Sequence, residues 1–258
     1  MATRRRLETR GFGGETPIPP LSRLAERLRE RPGIEADLTT FRLIETLRPQ
    51  RTAGIGVVAA GGTFYGDRWR EALGGVRSGV LRDAPFPEPD ALAMDARALA
   101  AEARAPFAAL PAPSALGIVD RHFGDEAEAG AAIRDVCGSL MRAMRDAGVG
   151  GHVIIAPSPV NEELEDLASP LTFFYCPDIG PESFDILLDH QRAFALPGRR
   201  VAELMGLVDQ FGRRPVYLVD PTEEEIAAAL EVLDPDNLRV GGYCPGDCDV
   251  YWQRLAAL

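Results

Sequence analysis

The chain has 258 residues, of which 46% are hydrophobic and 26% are charged, and its formal net charge at pH 7 is −11. All 28 basic residues are arginine, and the sequence contains no lysine. The absence of lysine excludes a P-loop lysine on a nucleotide phosphate, a pyridoxal Schiff base, a lysine-dependent aldolase and the strand lysine of protein kinases.

Charge is divided unevenly along the chain. Residues 1–52 hold 11 Arg and 7 acidic residues, a balance of +4, whereas residues 53–258 have a balance of −15. The negative charge of residues 53–258 repels the phosphates of nucleic acids, so we expect no nucleic-acid partner for this main domain. The basic segment could contact an anionic partner or serve only as a solvated tail.

The amino-terminal segment is predicted to be an arm followed by helices. Residues 1–16 are rich in arginine and glycine, and we expect them to form a disordered basic arm. Residues 17–52 are expected to form a helical cover for the domain that follows. Apolar residues at helical spacing predict one helix between Pro17 and Pro32 and a second over about Leu38–Leu47.

Residues 53–258 alternate short apolar runs with amphipathic helices, which predicts one α/β domain. The predicted strands are Ile55–Ala59, Arg77–Leu81, Ala115–Val119, His152–Ala156, Leu171–Tyr175, Pro215–Val219 and Asn237–Gly242. Strands that are apolar on both faces indicate a mostly parallel sheet covered by helices on both faces. We favour a three-layer, Rossmann-like sheet. A (β/α) barrel is the alternative, because enough strand candidates fit within about 250 residues.

Both architectures place a binding site beyond the carboxyl ends of the strands. The residues that follow the predicted strands are therefore candidates for binding a small polar or anionic substrate. They are Gly61, Gly62, Thr63, Arg121, Ser158, Asp178 and Asp220. The backbone N–H groups of residues 61–63 could cradle a carboxylate or phosphate, although a tight turn explains these glycines equally well. Arg121 would bind an anionic group, since no lysine is available.

Three residues are candidates for catalysis. His122 and Asp120 follow a predicted strand and would transfer protons, because histidine titrates near neutral pH. A structural role, in which His122 bonds to the Asp120 carboxylate, is the alternative. Cys176 follows the strand Leu171–Tyr175 and is the candidate nucleophile.

Three cysteines follow predicted strands and are candidate metal ligands. If the strands are parallel, Cys176, Cys244 and Cys248 emerge on the same rim, where they could bind zinc or an iron–sulfur cluster. Zinc sites usually use two closely spaced cysteine pairs, and this sequence has only one. A reversible disulfide between Cys244 and Cys248 and incidental buried thiols are the alternatives.

These features favour a cytoplasmic α/β enzyme that acts on a small polar or anionic molecule, with a cysteine-based metal or thiol centre. The alternative is a non-catalytic binding or assembly subunit that holds a protein partner, or a second copy of itself, through its N-terminal helices. No apolar run approaches the roughly 20 residues that a membrane span requires, so no membrane partner is expected. The basic N-terminus leads into glycines rather than an apolar segment, which predicts no signal peptide.

Overall fold

The computed structural model describes residues 7–30, 37–180, 183–203, 214–246 and 248–258. The strands in these ranges are β1 (Thr9–Gly14), β2 (Ala59–Gly61), β3 (Leu73–Arg77), β4 (Val80–Pro87), β5 (Phe107–Pro111), β6 (Val119–Asp120), β7 (Gly151–Ile155), β8 (Thr172–Tyr175), β9 (Phe194–Pro197), β10 (Val216–Val219) and β11 (Leu238–Cys244). The α-helices in the same ranges are α1 (Leu21–Glu30), α2 (Leu38–Ala53), α3 (Gly66–Glu71), α4 (Asp90–Glu102), α5 (Glu126–Asp146), α6 (Asn161–Leu167), α7 (Phe184–His190), α8 (Glu223–Leu230) and α9 (Cys248–Ala257).

Eight of these strands form two parallel sheets. Their orders are β1-β11-β10-β9 and β2-β5-β7-β8, and all neighbours within them pair in parallel. The remaining strands, β3, β4 and β6, form a small separate sheet. Helices alternate with the parallel strands along the chain. The predicted α/β class, with parallel strands covered by helices, is therefore confirmed.

The two parallel sheets meet along both edges. Beside β2, the Gly11 amide donates to the Val57 carbonyl at 2.7 Å, and the Val57 amide donates to the Thr9 carbonyl at 3.1 Å. At the other edge, β8 contacts β9. The eight strands thus form a ring, which is the arrangement of the (β/α) barrel given above as the alternative.

The ring separates two apolar cores. Phe12 of β1 lies 5.0 Å, between ring centroids, from Phe173 of β8 in the other sheet, so these side chains meet inside the barrel. Val153 belongs to this inner core, whereas its neighbour Ile154 belongs to the core that includes Leu140 of α5. Successive residues of a strand face opposite sides, so each barrel strand is buried on both faces.

The prediction of a disordered arm is wrong for residues 9–14. They form β1, which lies between β2 and β11 and so belongs to the same ring as the strands of residues 53–258. The sequence of β1 contains no apolar run, because its glycines allow the neighbouring backbone to approach closely. A Cβ at Gly13, where φ is +105°, would lie 2.5 Å from the Gly61 carbonyl oxygen. The two helices predicted within residues 17–52 are confirmed as α1 and α2.

The prediction of a strand over Ala115–Val119 is also wrong. The barrel strand in this part of the chain is β5, and residues 113–116 form a single 3-10 turn. Val119 and Asp120 form the short strand β6, which pairs with β4 outside the barrel. Asp120 and the residues after it therefore do not follow a barrel strand. In the described ranges, no helix is both long and apolar enough to span a membrane.

Candidate active site

A hydrogen-bonded carboxylate lies at the carboxyl ends of β1, β2 and β11. Glu15 directly follows β1, and its Oε1 accepts hydrogen bonds from the Thr63 amide at 2.9 Å and the Thr63 hydroxyl at 2.7 Å. The Tyr243 hydroxyl also donates to this oxygen. Thr63 follows β2 and Tyr243 lies in β11, so one carboxylate connects three neighbouring strands of the ring.

Gly62 permits the close approach of these groups. A Cβ at this position would lie 2.8 Å from the Tyr243 hydroxyl and 3.1 Å from Glu15 Oε1. Gly61 has a φ of +101°, in the left-handed region that favours glycine. The predicted carboxylate cradle at residues 61–63 therefore contains a carboxylate of the chain itself, and of the three backbone amides only that of Thr63 donates to it.

The hydrogen bonds to Glu15 favour its ionised form. Burial alone would raise its pKa, but the bonds from Tyr243 and Thr63 and the charge of Arg42 outweigh burial, so the pKa lies below its ordinary value. Arg42 is itself fixed, because its guanidinium stacks 3.9 Å from the Phe64 ring centroid. Glu15 is therefore an anion at neutral pH.

Asp220 is a second carboxylate at the same end of the barrel. It follows β10 with a φ of +54°, which is rare for a residue other than glycine. The Tyr251 hydroxyl of α9 donates to its Oδ1. Asp220 is an exposed residue, but its carboxylate is partly desolvated by its neighbours, which raises its pKa; the Tyr251 hydroxyl, the charge of Arg254 and the Tyr243 backbone offset this only in part. The pKa values of Glu15 and Asp220 are thus shifted in opposite directions.

Tyr175, the last residue of β8, completes this group. Its ring centroid lies 5.9 Å from that of Tyr243, and burial followed by the charge of Asp220 raises its pKa above the ordinary value. We call Glu15, Tyr175, Asp220, Tyr243 and Tyr251 the rim cluster. Burial also raises the pKa of the other two tyrosines, so all three are protonated hydrogen-bond donors at neutral pH.

A cavity of about 450 Å³ opens at the carboxyl ends of β2, β5, β7 and β8, at the same end of the barrel as the rim cluster, whose own residues do not line it. Its walls include Thr63, Phe64, Asp67, Arg70, Ile155 and Asp178. Thr63 joins the cavity to the rim cluster, because its hydroxyl bonds to Glu15. The size is typical of sites for small molecules, and the walls combine apolar and charged groups.

Besides Gly61 and Gly62, three of the predicted substrate-binding residues lie in this region. Thr63 and Asp178 line the cavity, and Asp220 belongs to the rim cluster. Asp178 is exposed and lies 3.5 Å from the guanidinium of Arg199, which follows β9. Ser158 is exposed in the segment after β7.

The predicted proton-transfer residues lie elsewhere. The Asp120 carboxylate accepts backbone N–H bonds from His122 at 2.9 Å, Phe123 at 3.0 Å and Gly124 at 2.7 Å, which closes a turn and lowers the pKa of Asp120. The His122 ring is exposed and packs edge-on against Phe123. Asp120 and Arg121 line a separate cavity of about 620 Å³. The geometry at Asp120 matches the structural alternative more closely than the catalytic one.

The three candidate metal ligands face away from the barrel interior. Cys244 and Cys248 form a disulfide, and all three sulfur-bearing residues belong to the core that contains the helices. Burial, and then the charge of Glu163, raises the pKa of Cys176 to about 12, so its thiol is protonated and a poor nucleophile.

These residues do not fit zinc or an iron–sulfur cluster. Two of the sulfurs are already bonded to each other, and a disulfide sulfur is not a thiolate ligand. Among the described residues there is no group of three or more His, Cys, Asp or Glu side chains placed to hold a metal ion. The predicted cysteine-based metal centre is therefore not supported.

No protein-family model matches the sequence, and no curated protein matches it. Among solved structures, the apo crystal structure of the homocysteine methyltransferase MmuM from Escherichia coli is similar. The match covers 98% of this chain and 96% of that chain, with 12% sequence identity and a TM-score of 0.45.

Four residues of the rim cluster were missed by sequence reasoning. Glu15 lay in the segment predicted to be disordered. Tyr175 and Tyr243 immediately precede Cys176 and Cys244, the residues that the sequence pattern predicts as functional. The alternation of side chains along a strand is the signal that separates them, because the residue before each cysteine faces the barrel interior. Tyr251 lies on α9, outside the strand ends that the prediction considered.

Proposed function

We propose that the chain is an enzyme that acts on a small polar or anionic molecule, bound in the 450 Å³ cavity at the same end of the barrel as the rim cluster. One observation carries this proposal. Two carboxylates at the same end of the barrel have pKa values shifted in opposite directions, Glu15 downward and Asp220 upward. Such a difference is typical of active sites in which one carboxylate remains ionised and the other transfers a proton.

In this proposal Asp220 is the general acid or base. A raised pKa brings a carboxyl group closer to the pH at which it can both give and accept a proton. The Tyr251 hydroxyl orients its carboxylate. The left-handed backbone at Asp220 supports this assignment, because strained conformations are concentrated at functional sites.

Glu15 and Arg199 are proposed to bind the substrate. Glu15 is ionised and accepts hydrogen bonds, so it suits a hydroxyl or amine group of the substrate. Arg199 is exposed, follows β9, and its charge acts on both Tyr175 and Asp220. It therefore suits an anionic substrate group better than Arg121, which lines another cavity.

Turnover of a defined mixture of small polar compounds tests this proposal. The mixture contains hydroxy acids, amino acids and sugar phosphates, and mass spectrometry follows the loss of each compound. We expect the wild-type chain to convert at least one of them, and Asp220→Asn to lower that rate by about 100-fold or more. Asp146→Asn, which replaces an exposed aspartate at the end of α5, is the matched control. A rate that is equal in all three proteins would contradict the role of Asp220.

The non-catalytic alternative also has one observation in its favour. Ile18 and Leu21, next to the start of α1, are 72% and 82% exposed, and such apolar groups suit a protein partner. Sedimentation of the wild-type chain and of an Ile18→Ser/Leu21→Ser variant discriminates the two functions. The alternative gains support if the wild type self-associates, the variant does not, and no compound in the mixture is converted.

A further inference from the structure

We infer that the amino-terminal end of the barrel holds a second binding site, for a small organic anion that carries a carboxylate or phosphate group. Its residues are Arg10, Ser169, Thr172, His190, Arg192 and Arg239, which we call the amino-terminal mouth. Arg10 and Arg239 are each the second residue of their strands, β1 and β11. The mouth therefore lies at the end opposite the rim cluster, and the proposed enzyme function does not use it.

The guanidinium of Arg10 is surrounded by aromatic rings. Its Cζ lies 4.6 Å from the ring centroid of Phe107, 4.7 Å from that of Phe173, 5.6 Å from that of Phe12 and 5.8 Å from that of Tyr217. Cation–π contacts stabilise the positive charge, but they provide no carboxylate or carbonyl acceptor for the N–H groups.

Among the described residues, two of the three nitrogens of the Arg10 guanidinium lack acceptors, and Tyr217 is the side chain with which the guanidinium has a hydrogen bond. Its Nε and Nη2 are buried and have no hydrogen-bond partner in the described part of the chain. A buried charged group normally has both a counter-charge and hydrogen bonds. A bound anion would supply both, because a carboxylate or phosphate accepts two parallel bonds from one guanidinium.

A cavity leads to this guanidinium from the surface. Its volume is about 520 Å³, and Arg10 and Phe107 line it together with Ser169, Thr172 and Arg192. None of the described residues that line it is Asp or Glu. The cavity thus combines two arginines, two hydroxyl groups and an aromatic wall, which favours an organic anion over a cation or a neutral molecule.

Arg239 adds another unpaired donor at the same mouth. Its Cζ lies 5.9 Å from the ring centroid of Tyr217, the ring that also contacts Arg10. Its Nε donates to Glu8 at 2.5 Å, but its Nη1 is buried without a partner among the described residues. Two half-buried arginines on one tyrosine ring, in a chain of net charge −11, concentrate positive potential at this end of the barrel.

Calorimetric titration of the full chain tests the inference. Inorganic phosphate and benzoate are the probes, at constant ionic strength maintained with chloride. We expect saturable binding of at least one probe to the wild-type chain, and a loss of affinity of about tenfold or more in Arg10→Gln. The probe that binds more tightly identifies the anionic group. Arg82→Gln, which replaces an exposed arginine of β4, is the matched control and should bind as the wild type does.

Two further variants keep the test decisive. Arg192→Gln replaces an exposed residue of the cavity, so it leaves the core intact if Arg10→Gln fails to fold, and we expect it to weaken binding about threefold or more. Glu15→Gln should leave anion binding unchanged, which separates this site from the proposed enzyme function. The inference is overturned if neither probe saturates the wild-type chain, or if Arg192→Gln and every folded Arg10 variant bind as the wild type does.

Discussion

The Tyr243 hydroxyl donates a hydrogen bond to the Glu15 carboxylate across a sequence separation of 228 residues. The two residues meet because β1 and β11 are parallel neighbours, with Gly14 opposite Cys244. The residue after one strand is thereby placed beside the last inward-facing residue of the other. Closure of the barrel is what creates this contact.

Removal of the Tyr243 hydroxyl should raise the pKa of Glu15. The hydrogen bond from this hydroxyl stabilises the ionised carboxylate and lowers its pKa. Without this bond, in Tyr243→Phe, the effect of burial, which raises the pKa, is offset to a smaller extent. Carbon-13 NMR titration of the Glu15 carboxyl group measures the change. The reciprocal variant, Glu15→Gln, should lower the pKa of Tyr243, because both the bond and the charge of Glu15 raise it. An unchanged Glu15 titration in Tyr243→Phe would show that the bond is absent in solution.

A methyl group at residue 62 should separate Glu15 from Tyr243. The added Cβ of Gly62→Ala would lie 2.4 Å from the Gly14 carbonyl oxygen and 2.8 Å from the Tyr243 hydroxyl, so backbone and side chain must both shift. We expect a loss of about 1–3 kcal/mol in the free energy of unfolding, measured by urea denaturation. Gly246→Ala is the matched control, because a Cβ at that position meets nothing within 4 Å. Equal losses in the two variants would argue against this packing.

The left-handed backbone at Asp220 should tolerate asparagine but not valine. Its φ of +54° is tolerated by Asn but is unfavourable for a β-branched residue. Asp220→Asn should therefore change the free energy of unfolding by less than about 1 kcal/mol, while Asp220→Val should lower it by about 1–3 kcal/mol. Urea denaturation measures both values. If the two variants are equally stable, the left-handed conformation is not maintained in solution.

Local interactions in this chain could be predicted from sequence. The spacing of Thr222 and Glu225 predicts a capping box, and both of its bonds are present at the start of α8: the Glu225 amide donates to the Thr222 hydroxyl at 3.2 Å and the Thr222 amide to the Glu225 carboxylate at 2.8 Å. The amphipathic pattern of α5 likewise places Ile133 and Leu140 in the core. These features depend on residues within a few positions of each other.

The site depended on contacts that no local pattern encodes. β1 has only one large apolar residue, Phe12, and its glycines fit because β2 and β11 approach it closely. The expectation that binding residues follow the carboxyl ends of the strands predicts Thr63 and Asp220 near the site, but it indicates Cys244 where the structure has Tyr243. An offset of one residue moves a side chain from the barrel interior to the helix layer. Correct assignment therefore required the register of each strand, which only the folded ring defines.

Buried His152 should make the protein sensitive to mild acid. Its side chain is fully buried between β7 and the helices. Neither ring nitrogen has a hydrogen-bond partner among the described residues. Burial, and then the charge of Arg145, lowers its pKa to about 3. In the unfolded chain His152 binds a proton near pH 6.5, whereas in the folded chain it stays neutral down to about pH 3. Between these two pH values, the free energy of unfolding should therefore fall by up to about 1.4 kcal/mol for each pH unit of acidification.

Replacement of His152 isolates this contribution. His152→Leu removes the buried titrating group, so its free energy of unfolding should depend less on pH between 7 and 4 than that of the wild type. His122→Gln, at an exposed position, is the control and should retain the wild-type slope. Urea denaturation at several pH values provides the comparison. Parallel pH profiles for the wild type and His152→Leu would mean that the pKa of His152 is the same in the folded and unfolded chains, and that water reaches the layer behind β7.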